Sequence, residues 1–552
     1  MFIRLLLPFA VALLGCHAAA LAQPSDDDSE LYDMLLGEIA QQRGDYELAA
    51  KTYLELARRS RDPRVARRAV EVANQGRLQD LALESARTWY ELEPQSTAAL
   101  SVVASLLVSS KRVDEAEPYL QKLLETEGVD LERGYLQLNR LLAGNPDKAA
   151  NLRVVRNLAA RHAELPPAHL AIAQAAAAAN NESLALSEAR RAAELKPDWE
   201  APAIFEAQVL QKRSPAEAAK RLAQFVEKNP TSRQGRLAYA RALMAQKRVP
   251  EARKQYEALL AANPNDAELI YTIGVLAYQL KDYPVAEQNM KRLIALPDYR
   301  DPDSARFLLG QIAEDQKQWP RAIQWYDAIQ DGEQALPARL RTANAIAKQG
   351  KLDAARQYLH KTADEHPGQE VQFTVAEAQL LRDANRPQEA FQLLADAVKR
   401  EPEQPELLYD FALTAEKLEK YDLLERNLRK LIEVKPDHAH AYNALGYSFA
   451  ERNTRLGEAR KLIEKALELS PDDYFIMDSL GWVQYREGDL KGAAQTLRNA
   501  YDGRPDPEIG AHLGEVLWML GERSEANRIW QESLKTAPDN ETLLKTVKRL
   551  RR

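Results

Sequence analysis

The chain has 552 residues, 45% of them hydrophobic and 28% charged, with a formal net charge of −7. That mix suits amphipathic helices that bury one stripe and solvate the other, and it excludes a whole-molecule basic footprint for nucleic acid. A single cysteine excludes intrachain disulfides, so the fold must rest on helix packing.

Residues 1–22 read as an export signal: an early charge at Arg4, an apolar run from Leu5 to Leu14, then small residues. The run is too short to span a bilayer, which takes about 20 apolar residues, and no later segment qualifies. Two processing sites fit. Leu13-Leu14-Gly15-Cys16 has the form of a bacterial lipobox, ending the signal at residue 15 and leaving Cys16 lipidated, whereas Ala20-Leu21-Ala22 has the form of an ordinary signal-peptidase site. The first is favoured, because exported proteins rarely carry an unpaired thiol without a use and several acyl chains on one cysteine anchor durably. On the second reading Cys16 is discarded with the signal. His17 stands where inner-membrane lipoproteins carry an aspartate, so the expected address is the outer membrane, periplasmic face. Residues 17–29, with Pro24 and Asp26-Asp27-Asp28, are polar enough for a flexible tether.

From residue 30 to about 538 an interval of about 34 residues governs the chain. Alanine marks it at Ala49, Ala82, Ala116, Ala185, Ala218, Ala252, Ala286, Ala322, Ala355, Ala390, Ala459, Ala493 and Ala526. A small residue recurring this way marks where two helices of a pair approach closely. Another small residue stands upstream of many of them (Gly37, Ala104, Gly274, Gly310, Ala378, Gly481, Gly514), and in most cases a larger apolar residue precedes it. Proline closes units at Pro94, Pro197, Pro230, Pro264, Pro367, Pro402, Pro471 and Pro538, where its missing amide donor separates one helix pair from the next. Units therefore begin near Glu30, Pro63, Thr97, Pro166, Trp199, Arg233, Ala267, Asp303, Leu336, Val371, Pro405, Ala439, Tyr474 and Pro507, with a degenerate one from Leu131 to Leu165. In residues 539–552, Leu543, Leu544, Val547 and Leu550 recur at helical spacing and predict a capping helix with a solvated basic face of Lys548, Arg549, Arg551 and Arg552.

The pattern resembles the tetratricopeptide family, whose repeat carries Trp, Leu-Gly and Tyr in a first helix, Ala and Phe or Tyr in a second, then Pro. The resemblance covers about fifteen units and implies an all-α solenoid, a right-handed superhelix of helix-turn-helix units.

Motifs of chemistry are missing from the sequence: no Gly-rich phosphate loop, no His-Glu-x-x-His, no cysteine pair and no Gly-x-Ser-x-Gly elbow. His438 and His440 would point apart on a helix, and His162, His169, His360, His366 and His512 are scattered among repeats without partners at metal spacing. No catalytic residue, metal, cofactor or small-molecule substrate is therefore expected.

By analogy with the family, the second, fifth, ninth and twelfth positions of each unit line the concave face. In the last three units these include His440, Asn443 and Tyr447, then Asp478, Trp482 and Tyr485, then Glu515 and Trp518. Aromatic rings with interspersed polar groups are the makings of a protein-binding hot spot. Packing of Trp482 and Tyr485 onto the next repeat is the competing account. A weaker patch of Tyr271, Tyr278 and Phe307 lies mid-array, with Tyr409 between the two, while Trp89, Trp199, Trp319, Trp325 and Trp530 fall on positions expected to be core.

The strings YNALGYSFAERN, DSLGWVQYREGDLKGAAQTLRNAY and DPEIGAHLGEVLWMLGERSEANRIW, at 442–453, 478–501 and 506–530, resemble the C-terminal repeats of a group of proteobacterial tetratricopeptide lipoproteins. The resemblance implies an adaptor at the outer membrane that binds a periplasmic carboxyl-terminal processing protease and presents protein substrates such as peptidoglycan hydrolases. Other lipoproteins share these repeats, and an envelope component supporting a polysaccharide or protein secretion channel is the alternative.

Overall fold

The computed structural model describes residues 26–126 and 130–551. Cys16, both processing sites and residues 17–25 of the expected tether lie outside them. The described residues form 31 α-helices, of which the first thirty make fifteen successive pairs. The chain divides into two compact units, Met1–Leu276 and Ala277–Arg552.

In the first unit, first helices run Asp26–Gln42, Pro63–Gln75, Thr97–Ser109, Leu131–Leu141, Pro166–Ala178, Glu200–Gln211 and Arg233–Ala245, and a further first helix, Ala267–Gln279, reaches the unit boundary. Their starts have local causes. Asp62, Ser96 and Ser232 each accept a hydrogen bond from an amide in the first turn, satisfying donors that a helix start leaves unpaired. Pro63 and Pro166 occupy the first helical position, where no amide is needed. The degenerate unit is stitched by polar contacts instead. Tyr135 is fully buried, its hydroxyl donating to the Leu158 carbonyl and lying 2.8 Å from His162 Nδ1, and Asn151 donates to the Leu142 carbonyl at 2.8 Å.

In the second unit the pairs continue with first helices at Pro302–Asp315, Ala335–Lys348, Glu370–Asp383, Pro405–Lys417, Ala439–Glu451, Tyr474–Glu487 and Pro507–Met519. The last helix, Glu541–Leu550, packs against Pro507–Met519 and covers its end. Within a pair the turn passes through a left-handed residue, such as Arg77, Lys111, Asn180 or Lys247 in the first unit and Lys281, Lys317, Asn385, Glu419 or Asn453 in the second. The amide that follows reaches back into the helix: Asn181 N to Ala176 O at 2.8 Å, Asp282 N to Ala277 O at 2.9 Å. This is the six-to-one closure of a helix C-terminus.

All thirteen marker alanines lie on second helices and are 0% exposed. Facing them, a Cβ on Gly310 would sit 2.3 Å from Tyr326 Cε1, and one on Gly514 would sit 2.1 Å from Trp530 Nε1. Close approach explains both columns. Ala286→Leu or Ala355→Leu should accordingly cost about 1–3 kcal/mol by overpacking. Because stability in an array is a sum of local and neighbour terms, hydrogen exchange should quicken around the substituted pair and leave distant pairs unchanged; unaltered protection there would contradict the register.

The tryptophans correct one expectation. Trp89 and Trp530 are core, but Trp199, Trp319 and Trp325 are only half-buried. Lys196 stands 5.8 Å over the Trp199 ring, so that indole has an aliphatic and cationic cover in place of a second helix.

Candidate functional site

The last three first helices touch in succession, Ala439–Glu451 on Tyr474–Glu487 and that on Pro507–Met519. Each is capped by its own sequence. His438 Nδ1 accepts from Ala441 N at 3.1 Å, Asp473 from Phe475 N and Ile476 N, and Asp506 from Glu508 N at 2.8 Å. Burial lowers the His438 pKa, which keeps the accepting nitrogen bare.

Between these helices the structure gathers Asp478, Trp482, Tyr485 and Glu515 into one network with groups from Glu451, Arg486, His512 and Arg549. Asp478 accepts from His512 Nδ1 at 2.9 Å. The His512 ring stacks on Trp482 with centroids 4.2 Å apart, and the indole Nε1 donates to Glu451 at 2.8 Å. Tyr485 lies 5.1 Å from the same indole, and its hydroxyl donates to Glu515 Oε1 at 3.2 Å. Arg549, from the last helix, supplies the other Glu515 oxygen. Arg486 donates to the carbonyls of Ala450 and Glu451 at 3.0 and 2.7 Å. Trp482 is 5% exposed, Asp478 7%, His512 7% and Glu515 3%. The indole expected to face an open groove is therefore covered.

Electrostatics follow from this packing. Burial alone would lower the His512 pKa, but the Asp478 carboxylate in contact, with Glu451 and Glu515 nearby, holds it above its ordinary value. Burial raises the Tyr447 phenol, and Glu451, Asp478, Glu508 and Glu416 around it raise it further. Burial likewise raises Glu416. The surroundings of Tyr447 are acidic.

Around the network, other predicted residues stay accessible. Tyr447 is half-buried with its ring 6.3 Å from His512. Asn443 is half-buried, with its Oδ1 enclosed and without a hydrogen-bond partner among the described residues. His440 is exposed, its Nε2 3.9 Å from Asp473. Tyr409 is half-buried and packs its ring 5.4 Å from His438. Trp518 does not join the group; it rests on Trp530, centroids 5.6 Å apart, under Arg523. Of the mid-array residues, Tyr271 in the first unit is 37% exposed. In the second unit, Tyr278 lies against Tyr283, burial with Asp315 pushing its pKa up to about 12. Phe307 packs on Tyr326 at 5.5 Å beneath Arg341, so it serves the core.

His512, scattered by spacing alone, is corrected: it meets Asp478 one period earlier, and Arg549, exposed as the basic tail face predicts, also pairs with Glu515, both at a sequence separation of 34. That equality of separation and period was the available signal. Among the described residues no group of three or more His, Cys, Asp or Glu is placed to hold a metal, and no helix is long and apolar enough to cross a membrane.

Comparison with known proteins agrees with this architecture. Tetratricopeptide-repeat models match residues 209–273, 271–338, 337–368 and 376–546. The chain is 34% identical to TPR repeat-containing protein PA4667 of Pseudomonas aeruginosa, over 95% of this chain and 89% of that one. The chain belongs to the tetratricopeptide-repeat family. It is also 24% identical to cellulose synthase operon protein C of Pseudomonas fluorescens, over 87% of this chain but 36% of that one. Among solved structures, yeast Tom70 aligns with 95% of this chain and 100% of its own at 14% identity, with a TM-score of 0.36.

Proposed function

We propose that the chain is a non-enzymatic scaffold that binds protein partners on the first-helix face of its last repeats, held by lipid on Cys16 at the periplasmic face of the outer membrane. The observation that carries the binding reading is the arrangement of the helix Ala439–Glu451, where an exposed His440 and a half-open Tyr447 ring stand beside a bonded network, which is how hot spots combine accessible anchors with a fixed base. The finer reading is an adaptor for a periplasmic carboxyl-terminal processing protease, presenting substrates such as peptidoglycan hydrolases. It rests on the resemblance of 442–453, 478–501 and 506–530 to the lipoproteins that serve that protease.

Purified protein should then hydrolyse neither protein nor peptidoglycan by itself, and should accelerate a cognate processing protease when mixed with it. Binding without acceleration would leave a scaffold and remove the adaptor; hydrolysis surviving rigorous purification would overturn the non-enzymatic reading. Cys16→Ser should shift the protein from the membrane fraction to soluble periplasm or leave it unprocessed, and unchanged membrane association would sink the anchor. The similarity to cellulose synthase operon protein C favours a second reading, an envelope component supporting polysaccharide export. Pull-down from detergent-solubilised membranes separates the two by whether protease or export-channel subunits co-purify.

A further inference from the structure

Most repeats place a large apolar side chain just before the small residue of the first helix, but two units place glutamate there, Glu206 before Ala207 and Glu377 before Ala378. Both carboxylates are 2% exposed. A buried carboxylate is costly unless paired; Glu206 is paired from both flanking second helices and Glu377 from the preceding one. Their partners differ in what they leave over.

Glu377 takes Arg356 Nε at 2.7 Å and His360 Nε2 at 2.6 Å, and Arg356 also lies 3.8 Å from Glu389. That guanidinium has carboxylates on two sides. Glu206 instead takes the Nε of two arginines, Arg190 at 2.6 Å from the preceding pair and Arg221 at 2.5 Å from its own. The terminal nitrogens of both guanidiniums have no hydrogen-bond partner among the described residues. Arg190 and Arg221 line a cleft of about 600 Å³ between the helices Glu182–Leu195, Glu200–Gln211 and Pro215–Lys228, where Lys220 and Lys228, without ion-pair partners among the described residues, complete the wall. Glu206 thus works as a buried post. It spends its charge on two Nε atoms and holds both arginines in the wall of the cleft, and the remaining nitrogens of a guanidinium so held form the fork that matches a carboxylate. Glu194 and Glu217 also border the cleft, so the excess of positive charge is small and favours one carboxylate at a time over a polyanion.

We infer that this cleft, on the second-helix side of the first unit, is a carboxylate-binding site for an acidic segment of a protein partner. It is separate from the C-terminal face and stands whether or not that face binds.

The test is fluorescence anisotropy of the full-length chain with a labelled tetraglutamate peptide, amidated at its C-terminus, and with its free-acid twin. Saturable, salt-sensitive binding is expected. Lys220→Gln with Lys228→Gln spares the buried triad, and should weaken binding by about tenfold or more while the melting curve stays put; Arg190→Gln should do the same at some cost in stability. Lys254→Gln, exposed in the next repeat, should change nothing. Stronger binding of the free-acid peptide would identify a terminal carboxylate as the ligand. No saturable binding by the unmodified chain, an equal loss with Lys254→Gln, or preference for an oligouridylate of equal charge would overturn the assignment.

Discussion

Trp482→Ala should lower the unfolding free energy of the C-terminal repeats by about 3–5 kcal/mol, the usual cost of removing a buried indole. The ring fills space between two first helices, stacks on His512 and neutralises part of the demand of Glu451 for a donor. Truncation leaves a cavity and, in Glu451, a carboxylate without its indole donor. Denaturant unfolding followed by near-ultraviolet circular dichroism measures the loss, and partner affinity on the same variant should fall only in step with the unfolded fraction. An unchanged midpoint with lost binding would return Trp482 to the open surface. His440→Ala is the complementary variant: its side chain is exposed on the same helix, so stability should hold while affinity falls.

Asp478→Ala should be equally damaging, since removing one partner of a buried ion pair typically costs about 3–5 kcal/mol. The pH dependence identifies the cause. Because the folded-state pKa of His512 is raised, the contribution of the pair is fully present below the unfolded value of about 6.5 and is lost as pH rises through the higher folded value. The gap in stability between the parent chain and Asp478→Ala should therefore be widest in mild acid and narrow toward alkaline pH. A gap that stays constant from about pH 6 to pH 9 would show that His512 does not titrate against Asp478.

The repeat boundaries were legible because their causes are local. A proline or a Ser or Asp cap needs only its own neighbours, so the first helices at Pro63, Thr97, Pro166, Arg233, Ala267, Pro405, Ala439, Tyr474 and Pro507 begin where the pattern placed them. The alanine column was legible for the same reason, since the partners are two helices of one hairpin. Burial on the first-helix face was not. Whether Trp482 is open depends on what the next repeat sets against it, here His512, and the period fixes which residues meet without fixing how closely. Trp518 shows the converse: a residue placed on the inward face by position lies against Trp530 of its own pair. Polar pairing across repeats, as in Asp478–His512 and Glu515–Arg549, leaves no mark in the spacing within one helix.

The left-handed turns carry a consequence for how the array could be tuned. Lysine or glutamate holds that conformation at Lys111, Lys247, Lys281, Lys317 and Glu419, whereas Gly350, Gly488 and Gly521 do so with no Cβ. A side chain in this region costs about 1–2 kcal/mol that glycine avoids. These turns lie between the two helices of a pair, and Gly488 and Gly521 bond back to the carbonyls of Tyr485 and Trp518. Each is an independent set-screw: evolution or an engineer can tighten or slacken individual hairpins, and so grade rigidity along the chain, without changing a side chain that a partner would touch.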